Sequence, residues 1–140
     1  MPFDLSSLDA SICALDRALA VTGDAARWAS LSPQVQEAVR AGVIQSFEVA
    51  YEQSWKMMRR WLESNAGIGE TSGASMRQIY RMAAKAGLIG AVDPWMEFHH
   101  ARNQTSHTYN PKIAQAVFEL SARFLPAAQS ALAALRVRND

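Results

Sequence analysis

The chain has 140 residues, 49 % of them hydrophobic and 19 % charged, which suits one globular domain with a proper core and excludes a disordered chain. Lys and Arg number 14 against 13 Asp and Glu, a net charge of +1, so the basic excess of a protein that grips nucleic acid by its backbone alone is missing. A small local phosphate or RNA site remains compatible with that balance.

Alanine is abundant while Val, Ile and Thr are sparse, which favours helix over sheet. The one cysteine, Cys13, sits in an apolar helical pattern and is expected to be a small buried hydrophobe. Met-Pro-Phe-Asp-Leu-Ser lacks a basic region followed by an apolar run, so no secretory leader is expected. No apolar run approaches the ~20 residues that span a bilayer. The expectation is a cytoplasmic protein with no membrane segment.

In chain order, Leu5, Leu8, Ile12, Leu15 and Leu19 form one apolar stripe that predicts a first helix ending at Gly23. Residues 24–31 read as a connector whose Trp28 packs against the bundle. Ser32-Pro33 opens the second helix as N-cap and first helical residue. Its stripe runs through Val35, Val39, Val43, Phe47, Tyr51, Trp55, Met58 and Leu62 to Gly67, a rod on the order of 45 Å. Glu48 and Glu52 share one face of it and are candidate support for a site, although most exposed helical glutamates only solvate.

Residues 67–73 read as a flexible loop. Its Gly-x-Gly is not a phosphate loop, because no strand precedes it and the Lys-Ser/Thr ending is missing. Ser75 and Gln78 make a capping box for a third helix that ends at Gly87, with Leu88-Ile89 folding back onto it. Asp93-Pro94 is expected to open the fourth helix, which runs to Pro111 with Trp95 and Phe98 on its core side. Asn110-Pro111 opens the last, with Ile113, Val117, Leu120, Phe124, Ala128, Ala131 and Leu135 on its stripe. Pro126 inside it predicts a kink or a joint between two pieces. The result is a single all-α domain over residues 1–140, an antiparallel up-and-down bundle of four to five helices.

Chemistry concentrates in Arg102-Asn103-Gln104-Thr105-Ser106-His107-Thr108-Tyr109. At roughly 100° per residue, Arg102 and Tyr109 fall on one stripe near Ser106, with Asn103 and His107 on a neighbouring face. Arginine binds phosphate by a fixed fork of donors, and histidine can move a proton near neutrality. Together they suit phosphodiester cleavage by a ribose 2′-hydroxyl. The plain alternative is that these side chains satisfy the last carbonyls of a helix. Arg102 and His107 lie about 140° apart on a helix and would not meet in one monomer. Either the last turn unwinds before Pro111, or a two-fold dimer completes the site. His99 or His100 with Asn103 has helical ligand spacing, but no zinc-type carboxylate–histidine set surrounds them, so no metal or cofactor is expected.

Arg-Asn-x-x-x-His-x-Tyr at the end of a helix in a small all-α chain resembles the Arg-x-x-x-x-His-x-Tyr motif of HEPN domains of the HepT type. The run Arg102 to Asn110 is especially similar to the nucleotidyltransferase substrate-binding proteins of that superfamily. Residues 47–56 and 81–89 look like the second and third helices of the family, and Trp95 to Tyr109 like the fourth. The resemblance implies a homodimer, and a minimal nucleotidyltransferase encoded next door as partner in a toxin–antitoxin module. It also implies a metal-independent ribonuclease, silenced when the partner attaches AMP to the motif tyrosine (AMPylation). Carried over, Arg102 holds the scissile phosphate of an RNA substrate, His107 is general acid/base, Asn103 orients, and Tyr109 accepts AMP. Glu48, Glu52 and Ser106 would support the site. The substrate-binding members imply an alternative, a non-catalytic subunit that presents substrate to the nucleotidyltransferase.

Overall fold

The computed structural model describes residues 2–139, with Ile68 described by its backbone alone. Among the described residues seven α-helices follow one another: α1 (Ser6–Gly23), α2 (Ala25–Ser30), α3 (Pro33–Ala66), α4 (Ile68–Thr71), α5 (Met76–Lys85), α6 (Val92–Gln104) and α7 (Pro111–Val137). A single 3₁₀ turn, Thr105–His107, stands between α6 and α7, and the described residues include no strand.

The start signals act as their chemistry requires. The Ser32 side chain accepts from the Val35 N–H at 3.2 Å, with Pro33 at a first-turn position that needs no donor. At α5 the capping box is reciprocal: Ser75 Oγ accepts from the Gln78 N–H, and Gln78 Oε1 from the Ser75 N–H. After α5 the chain turns at Gly87, whose φ of +81° suits a residue without Cβ. There the Leu88 N–H reaches the Ala83 carbonyl at 2.9 Å and the Gly87 N–H the Ala84 carbonyl at 3.1 Å. Leu88 is thereby tucked into the core, in keeping with the expected fold-back of Leu88-Ile89.

α3 is the central rod. α1 and α7 lie along it, and α5 pairs with α6, which closes against α3 and α7. Phe124 of α7 is the hub. Its ring meets Phe47 at 5.1 Å, Phe98 at 5.1 Å and Trp95 at 5.7 Å, each close to edge-to-face. That geometry sets the positive ring edge against the negative face and adds to the gain from burial. Two buried serines, Ser54 and Ser121, return their hydroxyls to carbonyls four residues back, so neither leaves an orphan donor in the core. At the far edge the Asn139 carboxamide accepts from the Phe3 N–H at 2.7 Å and donates to the Phe3 carbonyl at 2.8 Å, tying the segment before α1 to the segment after α7.

Several expectations are corrected. Residues 24–31 are not a plain connector: Asp24 caps the short helix α2 by accepting from the Arg27 N–H. The loop expected at residues 67–73 contains α4. α6 begins at Val92, because Ala91 already takes the extended cap geometry, so Asp93 and Pro94 sit in the first turn instead of opening the helix. Pro126 is no joint, since α7 runs through it without a break. Cys13 is exposed, its thiol turned towards Asp9, so the buried-hydrophobe reading fails. Val35 is exposed as well, because the first turns of α3 project beyond the packed part of the bundle.

Candidate functional site at the α6–α7 corner

The motif does not finish on a regular helix. α6 stops at Gln104, and the chain tightens into the 3₁₀ turn. Local hydroxyls drive this: Thr105 Oγ1 donates to the Arg102 carbonyl at 2.8 Å, and Thr108 Oγ1 to the Thr105 carbonyl at 3.3 Å. The Asn110 N–H donates to the His107 carbonyl at 3.0 Å, and the Asn110 side chain then accepts from the Lys112 N–H to start α7. Thr105 is buried, while Ser106, His107 and Tyr109 face solvent.

The last turn does unwind before Pro111, so the regular helix on which Arg102 aligns with Tyr109 and Asn103 with His107 ends at Gln104. It is His107 and Tyr109 that come together, ring centroids 6.0 Å apart and nearly edge-to-face. Tyr109 is 83 % exposed, so its ring and hydroxyl are open to solvent. Beside it, α3 and the start of α7 leave a groove of about 830 Å³, with Arg40, Ile44, Gln45, Glu48 and Thr108 among its walls.

Arg102 is held from two sides. Its Nε donates to Glu52 Oε1 at 3.2 Å and its Nη1 to Thr105 Oγ1 at 3.0 Å, with Glu48 Oε2 at 4.0 Å. Glu52 is itself fixed by the Trp55 indole N–H at 3.3 Å and Lys56 at 3.5 Å. The two glutamates four apart on α3 are therefore brought onto the arginine, while Ser106 stands exposed on the turn. A guanidinium with its plane set by a carboxylate still has donors for an incoming anion, and its orientation is decided before the anion arrives.

Behind Asn103 runs a polar chain that sequence reasoning missed. The Tyr80 and Tyr51 hydroxyls lie 2.5 Å apart, Tyr51 Oη lies 3.1 Å from His99 Nδ1, and His99 Nε2 lies 3.5 Å from the Asn103 side-chain amide. Both tyrosines are buried, and burial pushes both phenols above the ordinary value of 10.0. For Tyr80 the neighbouring Tyr51 hydroxyl adds to that rise. The signal is faint in the sequence because Tyr51 and Tyr80 fill apolar stripe positions and only their hydroxyls depart from the pattern. His99, on sequence spacing, invites only a metal reading; no group of three or more His, Cys, Asp and Glu that could hold a metal occurs among the described residues. Nor is any described helix long and apolar enough to cross a membrane.

Residues 3–137 match the family model described as nucleotidyltransferase substrate binding protein like. A Haemophilus influenzae protein named probable ribonuclease HepT is 38 % identical over 139 residues, covering 98 % of this chain and 94 % of its own length. A solved Haemophilus influenzae structure, described as revealing the fold of a substrate binding domain of a nucleotidyltransferase, superposes with a TM-score of 0.90 at 34 % identity, covering 95 % of this chain and 99 % of that one. A Thermus thermophilus structure superposes with a TM-score of 0.71 at 25 % identity, covering 92 % of this chain and 98 % of that one. With the motif intact and the match running nearly end to end, the chain belongs to the nucleotidyltransferase substrate binding protein like family, the HepT-type branch of the HEPN superfamily.

Proposed function

We propose that this protein is the HepT-like component of a cytoplasmic two-gene toxin–antitoxin module. On this reading it is a homodimeric, metal-independent endoribonuclease that binds a minimal nucleotidyltransferase encoded nearby and is silenced by AMP on Tyr109. The observation that carries it is the corner itself: His107 and the exposed Tyr109 stand ring to ring just beyond the end of α6, where Glu52 already orients Arg102. The Haemophilus relative named probable ribonuclease HepT supports the catalytic half of the reading. The structural neighbour described as a substrate binding domain of a nucleotidyltransferase supports the partner half.

In the reaction, Arg102 binds the scissile phosphate and stabilises charge that builds on its oxygens. The ribose 2′-hydroxyl attacks phosphorus, its proton passing to a neutral His107, and the P–O5′ bond breaks to leave a 2′,3′-cyclic phosphate. The departing 5′-oxygen takes a proton from the protonated His107 of the second protomer, which is why a two-fold dimer suits a motif with one histidine. Asn103 donates to a phosphate oxygen. In silencing, the Tyr109 phenol oxygen attacks the α-phosphate of ATP held by the partner, giving its proton to a base of the transferase and releasing pyrophosphate. An adenylate fixed there would stand beside His107 and keep RNA away from it.

The test is cleavage of RNA by purified protein in the presence of a chelator, alongside His107→Ala. The wild type is expected to cleave, with the variant slower by on the order of a hundredfold or more. Equal cleavage by the two, or none by either, sinks the ribonuclease reading. Intact mass after co-expression with the neighbouring transferase tests silencing: the chain is expected to gain adenylate, and Tyr109→Phe to gain none.

One observation favours the second reading, a non-catalytic subunit that presents substrate to the transferase. Glu48 and Glu52 already face Arg102, and the net charge is only +1, so general affinity for RNA is weak. Stable copurification with the transferase and no cleavage in either form would establish that reading.

A further inference from the structure

The polar chain behind Asn103 has only one direction in which every buried proton is used. Among the described residues, the sole hydrogen-bond partner of the Tyr80 hydroxyl is the Tyr51 hydroxyl, and Tyr80 has no exposed surface. If His99 Nδ1–H donated to Tyr51, the two phenols would have only each other to donate to, and whichever of them accepted, one phenol proton would be stranded in the core. A buried donor without an acceptor is costly, and native cores avoid it. The other direction strands nothing: Tyr80 donates to Tyr51, Tyr51 donates to His99 Nδ1, and His99 carries its proton on Nε2. That is a tautomer fixed by the hydrogen bond on the opposite ring nitrogen.

The consequence falls on Asn103. Its amide nitrogen is placed 3.5 Å from His99 Nε2, which would set two donors face to face. The oxygen and nitrogen of a carboxamide are told apart by their partners, so the amide belongs the other way round, with Oδ1 accepting from His99 Nε2–H. Its NH₂ group is then the end left free, one residue from Arg102.

We propose that His99 is a positioning residue of the motif: its Nε2–H, set by the buried Tyr80–Tyr51 pair, holds the Asn103 carboxamide so that the NH₂ faces the RNA phosphate. The core thereby reaches the site through three side chains, from α5 through α3 to α6, and Asn103 needs no reorientation when substrate binds. The role of the phosphate rests on the ribonuclease reading above; the tautomer and the amide orientation do not.

Two substitutions separate positioning from packing. In His99→Asn the side-chain oxygen can take the place of Nδ1 as acceptor for Tyr51, but nothing reaches Asn103. In His99→Gln a donor is kept near the Nε2 position, while the acceptor for Tyr51 is lost. On the full-length protein, nitrogen NMR of the imidazole is expected to show His99 protonated on Nε2. The side-chain amide signals of Asn103 are expected to move in His99→Asn and hold in His99→Gln. With RNA, His99→Asn should lower kcat on the order of tenfold to a hundredfold with KM little changed, and His99→Gln should stay near wild type.

A proton on Nδ1, or Asn103 signals indifferent to His99→Asn, overturns the proposal. So does the opposite ranking of rates, with His99→Asn active and His99→Gln impaired, because that is the pattern of a purely structural histidine. If the wild type cleaves no RNA, the ribonuclease reading fails by itself, and the two NMR measurements still decide the orientation of Asn103.

Discussion

The two halves of α6 are fixed by different forces. Trp95 and Phe98 in its first half are gripped by rings from elsewhere: both meet Phe124 of α7, and Trp95 also meets Tyr80 of α5. The last turn and the corner beyond it are held mostly by bonds spanning two or three residues, from Thr105, Thr108 and Asn110 to their own neighbours. The first kind of restraint is non-directional and shared among helices, so its loss is felt by the whole bundle. The second is directional and local, so its loss re-aims His107 and Tyr109 while leaving the core intact. Stability and chemistry should therefore respond to different substitutions on one helix and its neighbours.

The largest expected effect breaks the hub. Phe124→Ala should cost about 3–5 kcal/mol in chemical denaturation, because the fully buried ring sits among four others and its removal leaves a cavity between them. Any Phe124→Ala protein that remains folded should still carry the corner in its native form, which circular dichroism and cleavage assays read separately.

Next comes alkaline pH. Tyr51 and Tyr80 have phenols raised above 10.0, so above that pH the unfolded chain loses protons that the folded chain keeps. Stability is then complete below pH 10.0 and falls as pH rises beyond it, by about 1.4 kcal/mol per pH unit for each tyrosine. Denaturation of the Tyr51→Phe/Tyr80→Phe protein should lack that part of the slope. A slope as steep as that of the wild type would show that the two phenols are not its source.

Smaller again is the corner. Asn110→Ala should cost about 1 kcal/mol in chemical denaturation by removing the side-chain cap of α7, while the backbone N–H of residue 110 still closes the turn on the His107 carbonyl. Smallest of all, Glu52→Gln should lower stability by about 0.2–1 kcal/mol, because its pair with Arg102 is about one-third exposed and partly screened. A loss several times greater would mean that Arg102 is anchored as tightly as a core residue, and the contrast between the two halves of α6 would fail.

What depends on period and on caps was legible in the sequence. The stripes of α1, α3 and α7, the reciprocal Ser75–Gln78 box and the Asn110-Pro111 start all follow from rules that act within a few residues. Glu48 and Glu52 stand out because a spacing of four puts them on one face, although only the fold could bring that face to Arg102. The corner escapes a helical wheel for a physical reason: the wheel assumes that the helix continues, whereas Thr105 and Thr108 offer backbone carbonyls another partner. The polar chain through Tyr51, Tyr80 and His99 is illegible because it joins residues 29 and 48 positions apart, and no local rule reports a contact of that range. α2 escapes notice because six residues are too few to show a period.

The pair of hydrogen bonds between Phe3 and Asn139 makes the described chain, in topological terms, a ring with a single nick. A short linker across that nick would close the circle without stretching either end. New ends could then be opened between α4 and α5, where Ser72 and Gly73 are exposed and no core residue is severed. Such a circular permutant would join the segments that Phe3 and Asn139 already hold together and open the chain at residues 72–73, while leaving the packing of the helices, and the α6–α7 corner they support, as it was.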